Sequence, residues 1–368
     1  MKKILLVTRP ICPPWDEASK NFAYYLAKNI KDCEIHLLTS EILPGISSNI
    51  IQEPIYSSGG FGLSQKIKLF KYLRKNRNNF DIVHYLFTPT KLNSFLIKNF
   101  ARSKAKTIQT IATLREDLYS NEDLKKILFA DSIITYSDYS KRKLENLGFK
   151  NAKRIYPGID VNLYSPAAKN TELMKKFNLA QNDFVINFAG EYTRLNAIDD
   201  VIEAFIEASM KASNIKLSLA VRIKNEKDAQ KKSEVIENLK QNNVFEKVSF
   251  QDDGSYQMQD VFNLCDVSLF PVQNMNGKFD IPLAAVEAMA CEKPVIISNI
   301  PILREFSNSN NSVIIEAGNV KRLSEKILDV YRNKDRYVEI RKNARKYASE
   351  NFDIKKVAEK YREVYESL

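Results

Sequence analysis

Glycine is scarce in this chain: 10 residues in 368, beside 12 prolines and a single tryptophan. The first strand–helix junction, CPPWDEASKN, holds none, which leaves out the G-x-G-x-x-G turn that receives a nicotinamide dinucleotide. Loops so poor in glycine also have less backbone freedom. Histidine is rarer still, with only His36 and His84, too few for a His-rich metal centre. The four cysteines (Cys12, Cys33, Cys265, Cys291) are scattered with no C-x-x-C pair, which argues against a disulfide scaffold or a structural zinc site. No apolar run approaches the roughly 18 residues of a membrane-spanning helix. The N-terminal MKKILLVTRP has an apolar core of only ILLV, too short for a secretory h-region, and no small-residue cleavage site follows. The expectation is a cytoplasmic protein that begins with a strand.

What is present fits a soluble globular class, with 44% hydrophobic and 27% charged residues. A length of 368 residues is too great for one ordinary core and predicts two domains. The formal net charge of +11 suits a nucleic acid, an anionic membrane face or a phosphorylated substrate. No nucleic-acid recognition motif accompanies it, so nucleic acid is not an expected partner. The basic residues cluster at 66–77, 141–154, 224–232 and 341–346. In the first cluster, KIKLFKYLRKNR, apolar residues alternate with cations as in a helix that lies on an anionic membrane. The alternative is an ordinary surface helix with a charged outer face.

Strands and helices alternate along the chain. KILLVT, EIHLLTS, DIVHYLF, KTIQTIAT, SIITYS and AKRIYPG read as strands separated by helical segments, and the pattern restarts at DFVINFAGE. IKLSLAVR, KVSFQDD, DVSLFPV, PVIIS and NSVIIEAG follow, again with helices between them. Such alternation predicts an α/β fold of doubly wound parallel sheets. Turn residues gather in YPGIDVNLYSPAAKN, so the expected division is 1–164 and 165–351, with the C-terminal helix 352–368 packing back on the first domain. Two such domains facing each other leave a cleft at the carboxyl ends of their strands, where ligands of open α/β sheets bind.

One stretch is conspicuous. KFDIPLAAVEAMACEKPVIIS (residues 278–298) reads as a loop, a close-packing helix and a buried strand, with Asp280 as a good N-cap and Pro282 in the first turn. Yet Glu287 stands in the middle of this apolar helix. A carboxylate there must be solvated or must bind something. Amides at the helix start suit phosphate oxygens, which places a nucleotide's ribose near Glu287.

YPGIDVNLYSP, FAGEYTRLNAIDDVIEAF and DIPLAAVEAMACEKPVIIS together resemble the signature segments of the GT-B-fold retaining glycosyltransferases of family 4. RPICPPWDEASKN and FADSIITYSDYSKRKLENLG are similar to the family as well, and the segments follow in the right order over nearly the whole chain. The resemblance implies two Rossmann-like domains, with a nucleotide diphosphate sugar held mainly by the C-terminal one and a glycan or lipid-linked acceptor held mainly by the N-terminal one. It implies retention of anomeric configuration with neither a bound metal nor a cofactor. It gives Glu287 the donor ribose hydroxyls, and it makes Gly190, Arg194, Asn196, Arg222, Lys278, Pro282 and Leu283 the remaining donor-side candidates.

The departures are specific. The family's first glutamate falls on Phe279, which leaves Asp280 as the nearest carboxylate and the candidate catalytic one, with a simple N-cap as its alternative. The usual diphosphate cations fall on Glu191 and Asn196, with Arg194 close enough to substitute. Glu191 is expected to point away from phosphate. The usual histidine falls on Ala112, and His84 reads as support for the N-terminal sheet. In the first loop, Asp16 or Glu17 could assist an acceptor hydroxyl, Trp15 could stack on an acceptor, and Ser19 and Lys20 could meet phosphate or acceptor. Thr88 and Thr90 are further acceptor-side candidates. The leading expectation is thus a glycosyltransferase of cell-surface glycoconjugate synthesis, with its basic surface as a candidate for docking on the inner membrane leaflet. A GT-B homologue that binds a partner without catalysis is the main alternative, and another enzyme on the same architecture, an epimerase or phosphorylase, is a weaker one.

Overall fold

The β-branched and aliphatic runs do form parallel strands. The computed structural model describes residues 1–15, 17–76, 78–101, 104–252 and 256–368. They divide into two compact units. Unit 1 comprises Met1–Asp160, Gly277–Ile281 and Phe352–Leu368, and unit 2 comprises Val161–Asn276 and Pro282–Asn351. The chain therefore leaves unit 1 at residue 160 rather than 164. Five residues, 277–281, return to unit 1 from within the stretch expected to belong wholly to the second domain.

Unit 1 holds strands β1 (Lys2–Ile11), β2 (Cys33–Thr39), β3 (Ile50–Glu53), β4 (Ile82–Tyr85), β5 (Lys106–Ile111), β6 (Ser132–Thr135) and β7 (Ala152–Arg154). They form one sheet in the order β3-β2-β1-β4-β5-β6-β7, and every pairing is parallel. Its helices are α1 (Ala18–Asn29), α2 (Leu63–Asn76), α3 (Lys91–Phe100), α4 (Asn121–Ile127) and α5 (Asp138–Asn146), and the C-terminal helix described below belongs to it too. The short strand β3 is absent from the sequence reading, because in IIQE only two apolar residues precede the polar Gln52 and Glu53. It lies at the sheet edge, paired to β2 alone.

Unit 2 repeats the plan. Strands β8 (Phe184–Phe188), β9 (Ile215–Leu219), β10 (Val248–Phe250), β11 (Val267–Phe270), β12 (Val295–Ser298) and β13 (Val313–Ile315) are ordered β10-β9-β8-β11-β12-β13, again all parallel. Helices α6 (Thr171–Lys176), α7 (Ile198–Lys211), α8 (Glu226–Gln241), α9 (Met258–Leu264), α10 (Leu283–Ala290), α11 (Val320–Arg332) and α12 (Val338–Asn351) accompany them. Helix α6, held by the Asn170 N-cap, is also unforeseen from sequence. Both sheets are covered by helices, which is why the central strands read as continuous apolar runs with no polar alternation.

Helix α13 (Ile354–Glu366) completes unit 1. Asp353 forms a parallel bridge with Ile159, whose amide donates to the Phe352 carbonyl at 2.8 Å. A Cβ at Gly158 would lie 2.6 Å from Ile354 Cδ1, so only glycine admits the helix at that distance. Deeper in, the buried His84 ring bonds Tyr365 through Nδ1 at 2.8 Å and Thr110 through Nε2 at 2.7 Å. Burial pushes the His84 pKa down to about 3, so the ring stays neutral and serves as a strut between sheet and helix.

Candidate functional site

In each sheet the strand order reverses beside the first strand of the unit. For unit 2 that switch point lies between β8 and β11. Loops leaving the carboxyl ends of two such strands define the ligand crevice of a doubly wound sheet. Here the loops are 189–197 after β8 and the segment from 271 after β11. They are tied together by the Gln273 amide, which donates to the Leu195 carbonyl at 3.0 Å.

The β8 loop is strained and closely fitted. Leu195 and Asn196 have φ values of 71° and 50°, a left-handed pair without glycine. Such residues cost on the order of 1 kcal/mol or more each and persist only where the surroundings enforce them. At Gly190 a Cβ would fall 2.2 Å from the Phe188 ring, so no side chain fits there. Glu191 is turned inward and buried. Arg194 grips its carboxylate through Nε and through Nη2, the latter at 2.8 Å, and Lys224 Nζ reaches the same carboxylate at 2.5 Å. Lys224 arrives from the segment after β9, whose position is fixed at Asp228. That carboxylate accepts from the Thr193 hydroxyl at 2.8 Å and from the Lys224 amide at 3.1 Å. The result is two cations on one buried anion. Their side chains are 48% and 37% exposed, so both cationic heads reach water at the carboxyl edge of the sheet while the carboxylates of Glu191 and Asp228 stay buried. Arg222, two residues before Lys224, is half-buried.

Glu287 lies on α10, the helix that follows this switch point. Pro282, not Asp280, is the N-cap, and no side chain caps the helix. The physical reason is local. The residue before a proline is held extended, so Ile281 carries Asp280 away from the helix axis. Leu283 is buried in the first turn, and apart from Ala284 and Glu287 the whole helix is buried. Burial pushes the Glu287 pKa up to about 7, while a hydrogen bond from the Tyr164 hydroxyl pulls it the other way. Tyr164 is in turn fixed through its backbone. Arg345 of α12 donates to the carbonyls of Tyr164 at 2.7 Å, Ala290 at 2.8 Å and Val161 at 2.9 Å. One guanidinium thus closes the last turn of α10 and anchors the segment that aims a phenol at Glu287.

Asp280 and its neighbours go elsewhere. Asp280 is buried in unit 1, where the hydroxyls of Ser137 and Ser140 both donate to its carboxylate. Ser137 is the N-cap of α5 and also accepts from the Ser140 amide at 3.0 Å. The Asp280 amide donates to the Ala112 carbonyl at 2.8 Å, and Phe279 meets Tyr136 edge-on at 5.4 Å. The N-cap reading of Asp280 is thus overturned, and its carboxylate accepts from two serine hydroxyls. Lys278 is half-buried in the same returning segment, on unit 1 rather than unit 2.

The N-terminal candidates are mostly engaged structurally. Glu17 is ion-paired with Arg9 of β1. Trp15 lies on Tyr24 of its own following helix, centroids 4.3 Å apart, and remains 39% exposed. Ser19 is half-buried in the first turn of α1, and Lys20 is buried in the same turn with a partner of its own. Thr90 caps α3, accepting from the Asn93 amide at 3.1 Å, whereas Thr88 is exposed. Asp16 lies outside the described residues.

Three contributors escape a sequence reading. Lys224 was visible only as the start of a basic cluster, Tyr164 only as part of a linker, and Arg345 only as one cation among many in 341–346. Their partners lie 33, 123 and 55 residues away for Glu191, Glu287 and Ala290 respectively, and no short-range pattern encodes such pairings.

Residues 169–347 match the family model of glycosyl transferases group 1. Over 93% of this chain and 92% of its own length, a glycosyltransferase of Methanocaldococcus jannaschii is 26% identical. The capsular polysaccharide biosynthesis glycosyltransferase CapM of Staphylococcus aureus is 26% identical over 64% of this chain and 58% of its own. Among solved structures, HepE of Anabaena, in complex with UDP and glucose, superposes with a TM-score of 0.78 and 17% identity over the full length of both chains. Sucrose-phosphate synthase of Thermosynechococcus elongatus gives 0.76 and 16%, covering 100% of this chain and 99% of its own. The fold is that of the GT-B glycosyltransferases, and the group 1 segment coincides with most of unit 2.

Proposed function

From the group 1 match and the GT-B fold as premises, we propose that this protein transfers a sugar from a nucleotide diphosphate sugar to a glycan or glycolipid acceptor. The transfer retains anomeric configuration, needs neither a resident metal nor a cofactor, and serves cell-surface polysaccharide synthesis on the cytoplasmic side of the membrane. The observation that carries this reading is Glu287: a carboxylate on an otherwise buried helix, aimed by Tyr164, next in the chain to a switch-point loop. A carboxylate accepts well from two vicinal hydroxyls, which suits a ribose. The Glu191–Arg194–Lys224 cluster supplies the positive charge that a diphosphate leaving group requires. A front-face transfer of this kind rests on leaving-group stabilisation and placement of the acceptor, and demands no strong protein nucleophile.

The test is a thermal-shift series with UDP-, GDP-, ADP- and dTDP-sugars, beginning with UDP-glucose because HepE binds it. A ligand selective for the folded state raises the melting temperature by mass action. One nucleotide class should do so in the wild type and not in Glu287→Ala. No shift with any donor would sink the reading. Enclosure of Asp280 by Ser137 and Ser140 favours the second reading, a partner-binding homologue without catalysis. Donor hydrolysis or transfer by the purified protein would reject that alternative.

A further inference from the structure

Helices α2 and α3 pack on the same sheet through one apolar cluster: Leu69 and Leu73 of α2 and Ile97 of α3 meet Leu5, Val7 and Val83 of the sheet. Their inner faces are thereby accounted for. The outer faces are unusual in two respects. They expose large apolar side chains, with Leu63 at 75% and Ile67 at 48% on α2, and Leu92 at 65% and Phe95 at 57% on α3. They are also basic. The α2 sequence LSQKIKLFKYLRKN carries five cations, the α3 sequence KLNSFLIKNF carries two, and neither contains a carboxylate. One of the seven, Lys91, is ion-paired with Asp123 of α4.

Exposed Leu, Ile and Phe scattered singly need no explanation. Here they recur at helical spacing, 63 and 67 on one helix and 92 and 95 on the next, with lysines between and beside them. Apolar residues flanked by cations, with no negative charge to repel anions, match a surface that is anionic outside and hydrocarbon beneath. A nucleic acid would match the charge and a base stacks on a phenyl ring, but it offers nothing to the three aliphatic side chains Leu63, Ile67 and Leu92. A protein partner would not call for two helices devoid of carboxylates.

We propose that the outer face of α2 and α3 docks on an anionic lipid bilayer. Leu63, Ile67, Leu92 and Phe95 enter the headgroup boundary, and Lys66, Lys68 and Lys71 sit over the lipid phosphates. This deepens the glycolipid-acceptor reading and rests on it for its purpose, although the docking is physically independent of donor binding. The binding has two components. The cationic one weakens with salt and the apolar one does not.

The experiment is co-sedimentation of the full chain with vesicles of phosphatidylcholine alone and of phosphatidylcholine with phosphatidylglycerol, at low and high salt. The expected result is binding to the anionic vesicles, reduced but not abolished by salt, and little binding to the neutral ones. Charge reversal at Lys66, Lys68 and Lys71 should weaken partitioning on the order of a hundredfold or more, since each basic residue near an anionic surface is worth roughly 1 kcal/mol. Leu92→Ser with Phe95→Ser should reduce the salt-resistant fraction, and adding Leu63→Ser and Ile67→Ser should remove it. Equal binding by all these variants, or none by the wild type, overturns the proposal. So does concentration-dependent self-association in sedimentation velocity that the Leu92→Ser/Phe95→Ser variant abolishes, because a second copy would then cover the face. Thermal shift with nucleotide sugars on the same preparations separates the two readings. Glu287→Ala should still sediment with vesicles, and the α2 and α3 variants should keep the donor response.

Discussion

The two units share a parallel, doubly wound plan yet treat the carboxyl edges of their sheets in opposite ways. In unit 1 the polar groups there largely satisfy one another. Glu17 is held by Arg9, Thr90 caps α3, and Ser137 and Ser140 enclose Asp280. In unit 2 charge is gathered instead. Two half-exposed cations meet on the buried carboxylate of Glu191, and the Glu287 carboxyl lies on a buried helix with the Tyr164 hydroxyl bonded to it. The difference shows that topology supplies only the place for a site. Left-handed backbone at Leu195 and Asn196 and a desolvated carboxylate at Glu287 are what set the unit 2 edge apart.

The sharpest way to break this contrast is Glu287. Replacing it by alanine removes two charge-assisted hydrogen bonds to a ribose, each worth about 1.5–3 kcal/mol. Donor affinity measured by calorimetry should then fall by a hundredfold or more. The same residue sets a pH dependence. Its folded pKa, about 7, lies above the ordinary carboxyl value, so ionising it between those two values lowers the stability of the free protein as pH rises. Ribose hydroxyls recognise the ionised form. Donor affinity should therefore climb about tenfold per pH unit up to pH 7 and level off above it, and Glu287→Gln should flatten that profile.

Next in size is the cation pair. Arg194→Ala alone leaves Glu191 paired with Lys224, and donor affinity should drop about tenfold, in line with one lost charge-assisted contact. Arg194→Ala with Lys224→Ala removes both cations from a buried carboxylate. Chemical denaturation should show a loss of about 2–3 kcal/mol, less than for a fully buried pair because both cations are half in water. Adding Glu191→Gln should restore most of that stability but not the affinity.

On the unit 1 side the effects should be structural. Asp280→Asn or Ser137→Ala should cost about 1–3 kcal/mol of stability through an imperfectly satisfied buried group, with donor affinity unchanged. If Asp280→Asn instead abolished turnover at undiminished stability, the contrast between the units would fail and the catalytic reading of Asp280 would be supported. Smallest is Thr90→Ala, expected to cost about 1 kcal/mol as a lost N-cap, with no change in donor response.

Much of this was legible in the sequence. Twelve of the thirteen strands follow from apolar runs bounded by turn residues, and Glu287 was conspicuous because a lone carboxylate interrupts a close-packed helix. The tertiary partners were not legible. Nothing local tells that Lys224 reaches Glu191, or that Tyr164 reaches Glu287. Asp280 misled for an identifiable reason. A carboxylate two residues before a proline resembles an N-cap by spacing, but the proline itself holds the intervening residue extended and turns the side chain away. Ser137 and Ser140, 143 and 140 residues upstream, were the partners waiting for it.

Helix α13 has a consequence for synthesis. Chains usually fold domain by domain in the order in which they emerge from the ribosome. Here the first sheet contains His84, whose ring finds its phenol partner only when residue 365 has been delivered, and Gly158 receives Ile354 only slightly earlier. Unit 2, closed at residue 351, has all its parts in hand sooner. The order of maturation should therefore invert. The first half, made first, keeps one face of its sheet open until helix α13 arrives.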